Sequence, residues 1–582
     1  MNAPNSLSSD YTSFFVRFTF ISFLALLVFL VFLVSFLSFI PPSAQAFTLD
    51  GVVFMPAEDI IPGTSGFMLT VKHAKHIAQI PVEVVGVFPP KKAENDSFIL
   101  IRLIGEKLAQ GMSGSPVYIR EKLIGAVRSG WENSGHQIAL VTPIAQMIQG
   151  ADNLKHKLCV SDLTIMRLSG LSSENSSIIE LSGTLKHTIK SGIRGLGYEI
   201  RETERLKPGS SISVYLVWGD AELSALGTVT AVDKAGNFLA FGHEFLKRGT
   251  VNFPCGGAYI HDIVNSEVFP LKLSSSEGIN GTVMSDTDSG IGGTFGKYAP
   301  SIPCEVELHN MDTGEKNHYT FRTIAEEYIS SELIASISRG LCEDGYGRRG
   351  EGTMSIRLHI DSRNLPSGWT RQNIYYSDTD IITEGFKDVK EILTSCFLQP
   401  YEKIFPCGIS IKVQVTNIPR VLLIEDVSAP SSAKPGESID ITVKLREYRK
   451  PAITRKITLK IPDDAHGVIE LIVRGGGTQS FKQAGISGGW KSITGLENML
   501  AELKAMDTNN QLIIELNIDR TGNFLNSLKS GKNPPAEPDL LPEEQEYLSE
   551  TKQRRIHEGT LKILDSEYYI DGLMRRIIHT EG

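Results

Sequence analysis

Residues 98–127 read FILIRLIGEKLAQGMSGSPVYIREKLIGAV. The apolar runs Phe98–Ile104, Pro116–Ile119 and Leu123–Val127 are rich in β-branched residues and too short for helices, so each is expected as a strand. Between them lies a glycine-bounded turn, GMSGSP, residues 111–116. The same texture runs outward from this point. Short apolar runs alternate with turn residues from Phe47 to about Ile148, and again from about Ile178 to Val306, where SISVYLV (211–217), GTVTAV (227–232) and FLAF (238–241) stand out. Many short strands with glycine turns predict barrels or sandwiches, and the fold class is mainly β.

Residues 325–337 and 385–394 are helix-like. Alternating strands return at 421–424, 438–445 and 457–461, with Lys434–Glu437 as a turn, and an immunoglobulin-like β-sandwich is the expectation there. The stretch 531–550 is acidic and proline-rich, which reads as a linker. The expected domains are therefore 1–46, a signal peptide or N-terminal membrane anchor; 47–170 and 171–310, two β-barrel halves; 311–419, a mixed α/β extension; 420–530, the sandwich; and 531–582, a linker and C-terminal tail.

The chain has 582 residues, 41% of them hydrophobic and 21% charged, enough apolar residue for several folded domains. Its formal net charge of −9 argues against nucleic acid as a partner, because binding a polyanion needs a basic footprint. No Gly-Lys-Ser/Thr follows the glycine-rich runs at 290–296 and 474–477, so no phosphate loop is expected. The six cysteines include no Cys-x-x-Cys, which leaves neither a zinc nor a thioredoxin-like motif. No metal and no cofactor are expected. Cys255 with Cys304, and Cys396 with Cys407, are candidate bridges in an oxidising compartment, with simple buried thiols as the alternative.

Residues 18–40 are all apolar or small hydroxyl, and Ala44 and Ala46 form the small-x-small pattern that signal peptidase accepts. A cleaved export signal is one reading. A retained anchor is the other, since the run is long enough to span a bilayer. Both export the bulk of the chain, to the periplasm or cell envelope, and the second would fix it in the inner membrane through residues 18–40.

The chemistry concentrates at Gly111–Pro116. Ser113 stands between glycines that permit an unusual backbone turn, and successive N–H groups in such a turn can face one cavity and hold an oxyanion. A loop precedes it and a strand follows, unlike the Gly-x-Ser-x-Gly elbow, which leads into a helix. A plain Gly/Ser hairpin turn is the alternative. A serine hydroxyl needs a base, and histidine is the usual one. Of the 13 histidines, His243 differs, because it follows the apolar strand and Gly242 and so has room to open into a cleft. A structural histidine capping a turn is its alternative.

The segment GMSGSP, the strand and LIGAV (123–127) that follow it, and the separate Phe241-Gly242-His243 together resemble the SpoIVB peptidase family of exported, chymotrypsin-like serine endopeptidases. The likeness spans roughly residues 47–307. It implies a two-barrel core in permuted order, because in that family the Gly-His segment precedes the serine segment. It implies Ser113 as nucleophile and His243 as general base, with the N–H groups of Gly111 and Ser113 as the oxyanion hole. The third member is expected at Asp286, which preserves the cyclic order His, Asp, Ser; Asp288, Glu106, Asp96 or no carboxylate are the other choices, and a water or a backbone carbonyl could do part of the work. The expected activity is cleavage of protein or peptide substrates in the cell envelope. A non-catalytic envelope scaffold on the same β fold is the alternative from another class.

Overall fold

The computed structural model describes residues 51–88, 97–131, 134–153, 205–404, 406–465, 467–478, 495–518 and 548–580. The apolar segment 18–40, Asp96 and Cys159 lie outside them. Among the described residues no helix is long and apolar enough to cross a membrane.

The first barrel contains β1 (Ser65–His73), β2 (His76–Phe88), β3 (Phe98–Leu103), β4 (Pro116–Ile119), β5 (Lys122–Ser129) and β6 (Ile138–Pro143). They close in the order β1-β2-β3-β6-β5-β4, the last seam being Phe67 opposite Tyr118 and Met68 opposite Val117. Alternation decides the inside. Ile99, Ile101 and Leu103 of β3 face inward with Met68, Val82 and Val141 and are fully buried. In β5 both faces are buried. Ile124 and Val127 enter the barrel, while Leu123 and Ala126 pack outward against Ile144 and Met147 of α1 (Ile144–Asn153).

The second barrel is built from β7 (Ser211–Gly219), β8 (Leu223–Val232), β9 (Asn237–Ala240), β10 (Gly249–Val264), β12 (Gly281–Thr287) and β13 (Gly290–Phe295). It closes in the order β7-β8-β9-β13-β12-β10, with Cys255–Gly257 of β10 returning to Ile212–Val214 of β7. A further strand, β11 (Leu271–Ser276), hangs on the outer half of β10 as an edge. The chain is thus mainly β with two closed six-stranded barrels. They share a seam: Ala231 and Leu239 of the second barrel complete the apolar cluster around α1.

Residues 301–416 extend the second barrel's sheet through β15 (Lys316–Ile324), β14 (Ser301–Asn310), β18 (Pro406–Thr416), β16 (Gly352–Ser362) and β17 (Leu365–Ser377), in that spatial order from β7. Two helices, α2 (Glu327–Tyr346) and α3 (Ile381–Leu398), pack on each other and on this sheet, each longer than its apolar pattern suggested. Strand β7 is buried on both faces because the barrel lies on one side and this layer on the other.

The C-terminal unit departs from expectation. Strands Val421–Ser428, Ser438–Glu447, Ala452–Lys460 and Tyr569–Asp571 form one sheet. Ser432–Ala433, Leu573–Thr580, Val468–Gly475, Gln511–Ile518 and Leu561–Asp565 form another, and the two share one apolar core. The stretch taken as a tail therefore supplies three of these strands, so residues 420–530 are not a complete sandwich by themselves. Charge density misled here: Arg575 pairs with Glu470 and Arg576 with Asp426, while Ile570 and Ile578 between the polar residues fill the core. Neither candidate disulfide forms. Cys255, Cys304 and Cys396 are free, buried thiols, and burial pushes all three thiol pKa values up.

Candidate active site

The loop carrying Ser113 belongs to the first barrel but is held by the second. Gln110 donates its N–H to the Pro270 carbonyl at 2.7 Å and accepts from the Lys272 N–H at 3.1 Å. The Gly111 carbonyl accepts from Thr228 Oγ1 at 3.0 Å, the Ser113 carbonyl from the Thr228 N–H at 2.8 Å, and the Gly114 carbonyl from Thr230 Oγ1 at 2.8 Å. Met112 buries its side chain in the first barrel's core. Gly111 and Gly114 both have left-handed φ values, +87° and +89°, which glycine adopts without strain.

These bonds leave a pattern among the loop's donors. Met112, Gly114 and Ser115 donate their N–H groups to Ala109, Val127 and Met112 carbonyls. The N–H groups of Gly111 and Ser113, and the Ser113 hydroxyl, bond to no described residue.

His243 arrives on the neighbouring loop. After Ala240 ends β9, Phe241 and Gly242 both turn left-handed, at φ +70° and +68°. A buried phenylalanine in that region is strained, and it persists only because packing over-determines it. The Phe241 ring is buried beside Phe245, and the Gly242 carbonyl accepts from Thr142 Oγ1 at 2.5 Å. The two loops touch directly. A Cβ on Gly114 would lie 2.4 Å from Phe241 N, and one on Gly242 would lie 2.6 Å from the Val127 carbonyl oxygen. Ser113 and His243 thus leave adjacent loops of one seam, with no hydrogen bond between them.

His243 Nδ1 lies 2.6 Å from the Glu244 carbonyl oxygen. A carbonyl only accepts, so Nδ1 carries the proton and Nε2 the lone pair. Burial holds the imidazole pKa below the usual histidine value; the Glu244 hydrogen bond opposes that, and the Arg128 charge adds to it. The ring is therefore neutral at pH 7, with the tautomer a general base needs.

Asp286, on β12, is fully buried but does not bond to His243. Its Oδ1 accepts from the Phe245 N–H at 2.8 Å, and its Oδ2 from the Leu246 N–H at 2.8 Å and the Arg248 N–H at 3.3 Å. It holds the backbone that follows His243, while the Glu244 carbonyl orients the ring. Burial raises its carboxyl pKa, and the three N–H bonds oppose the rise. The other described candidates are paired with lysines: Glu106 with Lys72 at 2.6 Å, and the Asp288 carboxylate with Lys247 at 2.6 Å. Replacing Asp286 with asparagine turns one acceptor into a donor facing N–H groups. We expect a loss of about 3 kcal/mol in urea unfolding, with faster hydrogen exchange at Phe245, Leu246 and Arg248. Unchanged exchange at those three amides would refute the cradle.

Two polar residues were not anticipated. Arg128, at the end of β5, donates to the Glu244 carboxylate at 3.0 Å and to the Asp288 carbonyl. Thr228 ties both ends of the Gly111–Ser113 turn. Neither has a sequence signal beyond being polar in an apolar strand. Arg128→Met should move the His243 titration upward, because it removes a positive charge and leaves Glu244 uncompensated. An NMR titration of the His243 ring that moves down, or not at all, contradicts this. No cluster of three metal-ligating side chains forms among the described residues. Comparisons of the chain with protein-family models, with curated proteins and with solved structures find no match.

Proposed function

We propose that the chain is an exported serine endopeptidase, similar to the SpoIVB family with the serine and histidine segments in permuted order, acting on proteins or peptides of the cell envelope. The observation that carries this reading is the donor pattern of the serine loop. The N–H groups of Gly111 and Ser113 are left unbonded beside an unbonded hydroxyl, in a turn whose other polar groups are largely engaged. They are the pair the oxyanion hole requires. The loop of a neutral, correctly tautomeric His243 packs against it.

In this reading Ser113 Oγ attacks the peptide carbonyl carbon and its proton passes to His243 Nε2. The carbonyl electrons move to oxygen, where the N–H groups of Gly111 and Ser113 receive the charge. Collapse breaks the C–N bond, and the leaving amine takes the proton from His243. Water, deprotonated by the same imidazole, then attacks the ester carbon; the bond to Ser113 Oγ breaks, Oγ takes the proton back from His243, and the acid leaves. The Glu244 carbonyl stabilises the imidazolium, and the buried Asp286 charge contributes at longer range. The remaining two-sheet unit is taken as immunoglobulin-like.

The second reading, a non-catalytic envelope scaffold, is favoured by one fact: neither Asp286 nor Ser113 is hydrogen-bonded to His243. A fluorophosphonate probe separates the two. The peptidase is labelled on the peptide containing Ser113 and digests casein. Folded protein that takes no label at any pH is the scaffold.

A further inference from the structure

Strand β11 reads Leu271-Lys272-Leu273, and it is built inside out. Leu271 and Leu273 are exposed at 37% and 51%, whereas Lys272 is exposed at 5%. A slip of one residue would reverse all three faces and bury both leucines. A bulge on β10 lies opposite this strand. The register of β11 on β10 shifts between Ile260 and Asp262, so His261 is the extra residue. The bulge is held from two sides, by His261 Nε2 with Ser275 Oγ at 2.7 Å and by the His261 carbonyl with His73 Nδ1 at 2.9 Å.

The buried lysine reaches the serine loop. Its Nζ donates to Thr70 Oγ1 of β1 at 2.9 Å, and a Cβ on Gly111 would lie 3.2 Å from its Cδ. Its backbone N–H is one of the two bonds that pin Gln110 to β11. No ion pair includes Lys272 among the described residues. The ionisable residues on the elements packed against it are Lys72 and His73 on β1, Glu106 and Lys107 in the loop, and Cys255, Tyr259, His261 and Asp262 on β10. None of them moves its pKa, which burial alone lowers to about 7.

We propose that Lys272 is a positioning residue that couples the Gln110–Ser113 loop to its own protonation: uncharged, it packs beneath Gly111 and holds the Gly111 and Ser113 N–H groups in place, and charged, it drives the loop out of position. The catalytic part of this rests on the peptidase reading; the loop's response does not. An ammonium needs three acceptors or water, and here it has one hydroxyl. Relief comes by moving toward solvent, and an edge strand can move. Because Pro270, just before β11, and Lys272 within it hold the N–H and the carbonyl of Gln110, the loop moves with the strand.

The test uses the full chain, Lys272→Met and Thr70→Val. Fluorophosphonate labelling of Ser113 is followed against pH, and hydrogen exchange of residues 108–116, corrected for intrinsic rates, is measured at about pH 6 and about pH 8.5. In the parent chain, loop exchange should be about tenfold faster at the lower pH, and labelling should fall along an acid limb near the lysine's midpoint of about 7. Lys272→Met should abolish the pH dependence of exchange and leave only the lower limb that belongs to His243. Thr70→Val removes the acceptor that favours the charged form, so its limb and exchange transition should shift to lower pH; it carries the test if the methionine variant does not fold. Loop exchange indifferent to pH in the parent chain, or a limb near pH 7 that survives in Lys272→Met, overturns the proposal. A pH-dependent loop in a chain that never takes label keeps the switch and removes the peptidase.

Discussion

Ser113→Ala should lower peptide hydrolysis by about 10⁴-fold or more while leaving the thermal unfolding of the chain nearly unchanged. The size follows from what alanine removes. On the peptidase reading the nucleophile disappears, and with it the acyl-enzyme, while the N–H groups of Gly111 and Ser113 would still polarise a bound carbonyl, so some rate over water would survive. Stability is spared because the hydroxyl is bonded to no described residue and only half-buried. The loop is held instead by the backbone carbonyls of Gly111, Ser113 and Gly114, which alanine keeps. Casein hydrolysis and fluorophosphonate uptake measure the first effect, and a melting curve the second. Hydrolysis that persists in the variant would move the chemistry away from this seam.

Gly114→Ala should cost about 3–5 kcal/mol and abolish activity with it. Its φ of +89° is unfavourable for any side chain. The added carbon would also lie 2.1 Å from the Thr228 carbonyl oxygen and 2.4 Å from Phe241 N. Both are backbone atoms of the second barrel, so relief means parting the barrels where the two motif loops meet. Gly278→Ala is the control: its φ is +107°, but a Cβ there meets nothing within 4 Å. That variant should lose only about 1 kcal/mol of stability, from backbone strain alone. Urea unfolding of both compares strain alone with strain plus collision. Equal losses would mean that Gly114 is not the contact joining the barrels.

Much of the architecture was legible in local pattern. Period-two alternation in β3 and the turn glycines around Ser113 mark strands and a special loop wherever the chain is read, because pleat and φ are properties of a few adjacent residues. The last three strands, within residues 561–580, were not legible. Short, charged runs such as Leu573–Thr580 become strands only when another sheet covers their apolar side. Asp286 shows the same limit at the site. Its place in the order of the chain suggested a partner for His243, but only the packing of β12 against residues 245–248 decides which donors its oxygens meet.

By itself, then, the amino-acid order determined strands, turns and the two segments able to carry a nucleophile and a base, because each depends on short-range sterics and hydrophobic period. Tertiary structure alone decided that those segments meet, which N–H groups stay unbonded, and that a lysine rather than two leucines turns inward on β11. The reason is physical. A hydrogen bond or a buried charge is settled by partners that arrive from distant parts of the chain, and their approach is set by the closure of two barrels rather than by any neighbour in sequence.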